Sequence, residues 1–180
     1  MSEEMFVRQC APTLAGVKTG SLFSCPYDTR EGMTEDVRRL NRVLVPKGLP
    51  LRYSEKRVLL YLYRPTELWR DLNDDKAAEI LDAAGYSCTD CDRCVVKLIQ
   101  RLRGNKDFPH EIGLFLSYPP EEVKGFIDNN AANFKYSGLW KVYGDEKRAK
   151  AMFEKFKKCT DIYCRMWQAG VSLDRLAVSA

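Results

Sequence analysis

The segment Arg57-Val58-Leu59-Leu60-Tyr61-Leu62-Tyr63 constrains the fold of this chain more than any other, because its apolar side chains fall on both alternating faces of a strand. A strand of that kind does not sit half-exposed at an edge. It predicts a central place in a sheet covered on both sides. Leu51-Arg52-Tyr53, across the polar turn Ser54-Glu55-Lys56, supplies the hairpin partner. The longest strongly apolar run, Val58 to Tyr63, is six residues, against the roughly 20 that cross a bilayer. No membrane span is predicted.

Helical patterns surround this hairpin, after an amino-terminal loop rich in small residues that carries Cys10 and Lys18. Val37, Leu40 and Leu44 recur at spacings of three and four after Thr34, which predicts an amphipathic helix capped by that threonine and ending before Pro46-Lys47-Gly48. Shorter helices are expected over Thr66 to Leu72 and Lys76 to Ala84, the second entered through Asp74 or Asp75 and stopped by Gly85. Cys91, Cys94, Val95, Leu98, Ile99 and Leu102 form a helical stripe. Ile112 to Leu116 reads as a short buried strand, Pro119-Pro120 opens a helix through Ile127, and Gly138 to Tyr143 reads as another strand. The longest helix is expected from Glu146 to about Ala169, with a short one after Ser172.

Strands and helices therefore mix without a repeating βαβ rhythm. The expectation is an α+β fold, with a small mixed or antiparallel sheet covered by helices and a long C-terminal helix, rather than a doubly wound nucleotide fold. A chain of 180 residues is long enough for one substantial core, so residues 1–180 are expected to form one globular domain, with any subdomain seam in the polar loop 103–107.

Charge and cysteine usage narrow the function classes. The 29 basic and 25 acidic residues leave an excess of only +4 with the signs interspersed, which is no nucleic-acid footprint. The first residues, Met1-Ser2-Glu3-Glu4-Met5, are acidic where an export signal is basic. Seven cysteines cannot all pair within the chain, and together with the acidic start they predict reduced thiols in a cytoplasmic protein.

Four groups of residues are candidates for chemistry. Cys88, Cys91 and Cys94 place three thiols within seven residues, the spacing of a soft-metal or iron–sulfur site. Leu98 and Ile99 stand where a ferredoxin-like run needs cysteine and proline, and Cys91 and Cys94 also belong to the apolar stripe. Cys159 and Cys164 sit about 140° apart on their helix and cannot share an ion. His110, the one histidine of the chain, precedes the apolar run and is paired in sequence with Glu111; with Cys10, Cys25 or Cys88 as thiolate it makes a nucleophile, base and orienter. Gly16-Val17-Lys18-Thr19-Gly20 contains the residue types of a phosphate loop in the wrong order, leaving Lys18 as a single candidate for an anion. Lys147, Arg148, Lys150, Lys155, Lys157 and Lys158 are mixed with Asp145, Glu146, Glu154 and Asp161 and read as a solvated helix face.

Four blocks carry a resemblance: Cys10 to Thr19, Pro109 to Ile127, Gly138 to Asp145, and Lys157 to Arg165. Together they resemble, over nearly the whole chain, an uncharacterised family of small bacterial proteins of unknown function. The resemblance implies no reaction, cofactor or ligand. It shifts emphasis toward Cys10, His110, Glu111, Cys159 and Cys164, because the Cys88 to Cys94 cluster lies outside these blocks. The leading expectation is a binding or accessory protein for a small molecule, with Lys18, His110, Glu111, Tyr118 and Trp140 around the pocket. The alternatives are a thiol enzyme or redox protein using Cys10 with His110, and a metal or iron–sulfur protein using Cys88, Cys91 and Cys94.

Overall fold

The computed structural model describes residues 1–54, 59–87, 89–103 and 108–180. Helix α1 (Glu3–Leu14) leads into strand β1 (Gly20–Ser24), then α2 (Arg30–Leu44), β2 (Leu51–Ser54) and β3 (Leu59–Tyr63). Helices α3 (Pro65–Leu72), α4 (Asp75–Ala83) and α5 (Cys91–Arg103) follow. A 3₁₀ segment, His110–Leu116, precedes α6 (Pro120–Asp128), the minimal hairpin β4 (Tyr136–Ser137) and β5 (Lys141–Val142), the long helix α7 (Glu146–Gln168), and α8 (Leu173–Leu176). This is an α+β fold with a small antiparallel sheet and a long C-terminal helix. No helix among the described residues is long and apolar enough to cross a membrane.

The sheet has the order β1-β3-β2, antiparallel throughout, with Gly20 opposite Tyr63 and Leu51 opposite Leu62. Strand β3 is central, as its two apolar faces demand. Leu60 and Leu62 enter a core built with α1, α2 and α8, whereas Tyr61 and Tyr63 enter a second core with α3, α4 and α5. Tyr61 and Tyr63 stack, centroids 5.1 Å apart. A third, smaller cluster holds Trp140 and Val142 against Ala149 and Phe156 of α7. Arg57 and Val58, and the turn residues Glu55 and Lys56, lie outside the described residues.

Several expected elements take a different form. Residues ahead of β1 are a helix, not a loop: Ser2 caps α1 by accepting the Met5 N–H, Glu3 and Glu4 favour its first turn, and Phe6, Val7, Cys10 and Leu14 bury one face. Thr29, not Thr34, caps α2; its hydroxyl accepts the Gly32 N–H, while the Thr34 hydroxyl donates to the Arg30 carbonyl inside the helix. Ile112 to Leu116 is not a strand. Its backbone bonds locally, Ile112 N–H to the Pro109 carbonyl and Tyr118 N–H to the Gly113 carbonyl, and a short apolar run buried all round has no period that separates strand from helix. Gly138 to Tyr143 is not one strand either. Gly138 donates to the Trp140 carbonyl, so the segment turns and only Lys141 and Val142 pair back onto Tyr136 and Ser137.

The chain immediately after β3 closes the architecture. Arg64, only 2 % exposed, donates from its guanidinium to the carbonyls of Thr13 (2.8 Å), Leu14 (3.0 Å) and Val178 (2.7 Å). The cation thus terminates α1 at its negative end and ties the C-terminal tail beneath it. Burial lowers its affinity for the proton, with Glu67 acting in the opposite direction. Arg64→Met removes the side-chain donors of three carbonyls, of which Thr13 and Leu14 keep the N–H groups of Gly16 and Val178, and the expected loss is about 1–3 kcal/mol of stability. A fall in the urea midpoint at unchanged slope measures it.

Candidate functional site

The segment that carries His110 is fastened to the sheet by polar contacts. The Tyr61 hydroxyl, on β3, donates to the Phe115 carbonyl at 2.8 Å. A Cβ on Gly20 would lie 2.3 Å from that carbonyl oxygen and 2.6 Å from the tyrosine hydroxyl, so β1 approaches this closely only with glycine there. Ser117, with φ at 61°, accepts the Thr19 N–H at 2.7 Å and its hydroxyl meets the Thr19 hydroxyl at 2.6 Å. Glu111 points inward and is 4 % exposed. Its carboxylate accepts from Arg101 Nε at 2.6 Å and from the Tyr86 hydroxyl at 3.1 Å. Burial first, and the Glu111 charge second, push the Tyr86 hydroxyl up. Glu111 is thereby an internal tie between α5 and the His110 segment. His110 itself is exposed, its ring 5.0 Å from that of Phe126.

Between this segment, α6 and the β4–β5 hairpin lies a cleft of about 430 Å³. His110, Tyr118, Val123, Phe126 and Trp140 form its walls. The Trp140 ring packs 4.6 Å from Tyr118 and edge-on, 4.4 Å, to Phe153. The residue is 7 % exposed, and its indole nitrogen is buried with no hydrogen-bond partner among the described residues. Two charged side chains at the cleft are occupied. Glu122 accepts the N–H groups of Tyr143 (2.5 Å) and Gly144 (3.0 Å), tying α6 to the hairpin. Lys141 donates to the Ala131 carbonyl at 2.6 Å and lies 4.7 Å from the Phe134 ring centre.

Lys18 follows α1 in a turn in which Val17 and Lys18 both donate their N–H to the Pro12 carbonyl. Its ammonium lies 5.8 Å from the ring centres of Tyr118 and Phe156. Desolvation lowers its pKa from the ordinary 10.5 to about 8, the nearby Cys10 thiol opposing the shift. Lys18 lines a second cavity, about 470 Å³, that meets the first at Gly138 and Leu139.

The five residues expected around a pocket are thus distributed over neighbouring spaces. His110, Tyr118 and Trp140 line one cleft, Lys18 touches it through the Tyr118 ring, and Glu111 lines a groove on the other side of His110 with Arg101. Cys10 is not in a loop. It is fully buried on α1 among Phe6, Leu14 and Leu62, and burial pushes its thiol up, whereas His110 is exposed on the cleft rim. Cys91 and Cys94 are buried on α5, as the apolar stripe implies, and Cys88 lies outside the described residues. No three His, Cys, Asp or Glu side chains among the described residues converge as metal ligands. Phe126 and Glu122 were missed by sequence reasoning; the Pro-opened helix gave their element but no sign of which face met the hairpin.

A model for a family described as a protein of unknown function, DUF3793, matches residues 6–177. The chain belongs to the DUF3793 family. Comparison with curated proteins and with solved structures gives no match. The four sequence blocks that resemble an uncharacterised family all fall within the matched span, and DUF3793 membership assigns them no reaction.

Lys18 gives the site a pH signature. Because its folded pKa lies below its unfolded value, the unfolded chain binds more protons between about pH 8 and 10.5, and stability contributed by this group rises with pH across that window. Below about pH 8 the cost of the buried charge is present in full. Lys18→Met is expected to be more stable than the parent by about 1 kcal/mol at neutral pH, the gap closing toward pH 10.5. Denaturation midpoints of the two proteins across that range check it.

Proposed function

We propose that this protein binds a small, largely apolar, planar molecule bearing a hydrogen-bond acceptor, in the cleft between His110, α6 and the β4–β5 hairpin. The observation that carries the reading is the Trp140 indole N–H, buried at an aromatic wall and lacking an acceptor among the described residues. A buried donor left unpaired costs about 1–3 kcal/mol, which an acceptor on a ligand recovers. Tyr118 and Phe126 supply flat apolar surface, and His110 at the rim is free to donate or accept beside a polar substituent. The occupied carboxylates of Glu111 and Glu122 favour a binding or accessory role, because neither is left free as a base.

A cytoplasmic, reducing compartment suits this reading, since the six described cysteines are free thiols and four of them are buried. The cysteine-to-histidine alternative and the metal alternative have no comparable observation in their favour.

The test is a thermal-shift screen of small heterocyclic compounds against the parent and against Trp140→Phe. Compounds that raise the parent's melting temperature are expected to lose most of that shift in the variant, which keeps the ring but removes the donor. Equal shifts in both proteins for every stabilising compound would contradict the proposal.

A further inference from the structure

The cavity beside Lys18 is chemically distinct from the cleft at Trp140. The Lys18 amine is not paired with any carboxylate among the described residues, and it lies over the faces of Tyr118 and Phe156. The short turn onto the Pro12 carbonyl sets the lysine backbone against the end of α1, and the half-buried side chain places its amine between the two rings. The cavity offers about 470 Å³ beside that amine. The nearby charges, Glu154, Lys157 and Asp161 of α7, are of mixed sign, and Cys10 from α1 is the remaining titratable neighbour. Such a space does not select a strong anion. It suits a small neutral molecule that reacts with an amine.

We propose that Lys18 captures small neutral aldehydes or ketones in this cavity as a reversible imine. The nitrogen lone pair forms the new C–N bond while the carbonyl π pair moves to oxygen. Both protons of the neutral amine pass to that oxygen, the C–O bond breaks as water leaves, and the nitrogen lone pair closes the C=N bond; a proton taken from solvent gives the protonated imine, and hydrolysis by returning water restores both partners. No electrons are exchanged with an outside reagent. Desolvation supports the step by raising the neutral, nucleophilic fraction of the amine near neutral pH. The aromatic faces that now accept the ammonium are equally suited to the protonated imine, which carries the same charge in nearly the same place.

The proposal stands independently of the Trp140 cleft, and its test does not use the cleft's ligand. The full chain is treated with propanal and sodium cyanoborohydride at about pH 7, the hydride serving only to fix any imine as a propylamine, and the sites are mapped by mass spectrometry of peptides. Lys18 is expected to be propylated at least about tenfold faster than the exposed Lys155 and Lys158. Unfolding the protein in urea is expected to abolish the preference. Lys18→Arg, which keeps a cation between the two rings, is expected to lose the fast adduct while Lys155 and Lys158 react as before. The relative rates in the parent protein decide the matter even if that variant folds poorly. Modification of Lys18 no faster than Lys158, or only after unfolding, overturns the proposal.

Discussion

Everything else in this structure depends on strand β3 being buried on both faces. Its alternate side chains feed two separate cores, Leu60 and Leu62 on one side and Tyr61 and Tyr63 on the other, and all four are at most 1 % exposed. Burial of each such side chain contributes roughly 1.5–3 kcal/mol, so the strand fixes the relative positions of the two helical layers. The polar atoms at its end then extend that order. Tyr61 holds the Phe115 carbonyl, and Arg64, one residue beyond the strand, holds the end of α1 and the C-terminal tail. Two adjacent stretches of backbone, the turn carrying Lys18 and the segment carrying His110, are therefore positioned from the same five-residue strand.

That arrangement explains which polar groups are structural and which remain free for a ligand. Glu111 is a candidate for chemistry in the sequence, yet it and Glu122 are each consumed by donors that join elements: Arg101 and Tyr86 for the first, the Tyr143 and Gly144 backbone for the second. A carboxylate fixed by such hydrogen bonds is costly to move. The Trp140 N–H, the exposed His110 ring and the Lys18 amine are left without comparable partners among the described residues, and the three residues line two spaces that share Gly138 and Leu139. The proposed recognition is concentrated where the small β4–β5 hairpin lies against the anchored segment and α7.

The fold was legible wherever a pattern was long or doubly apolar. The central place of β3, the stripe of α5, the Asp74 cap of α4 and the extent of α7 all followed from residue spacing. Helix α1 was hidden although Ser2, Glu3 and Glu4 form a helix start, because Pro12 and Gly16 near its end read as loop. Ile112 to Leu116 misled because five apolar residues carry no usable period. The site was legible only in part. His110, Tyr118 and Trp140 do line one cleft, but nothing local in the sequence says that Glu111 turns inward to Arg101 or that Phe126 faces the histidine, since both depend on contacts between α5, α6 and the hairpin.

Native-state hydrogen exchange tests the central claim, that β3 holds the His110 segment as a preformed wall of the site, most directly. The amide of Tyr118, which bonds to the Gly113 carbonyl, and those of the β3 ladder are compared in one experiment across a denaturant series. The account predicts that Tyr118 opens with the same free energy and the same denaturant dependence as β3, as one cooperative unit. Exchange of Tyr118 at a loop-like rate while β3 stays protected would contradict it.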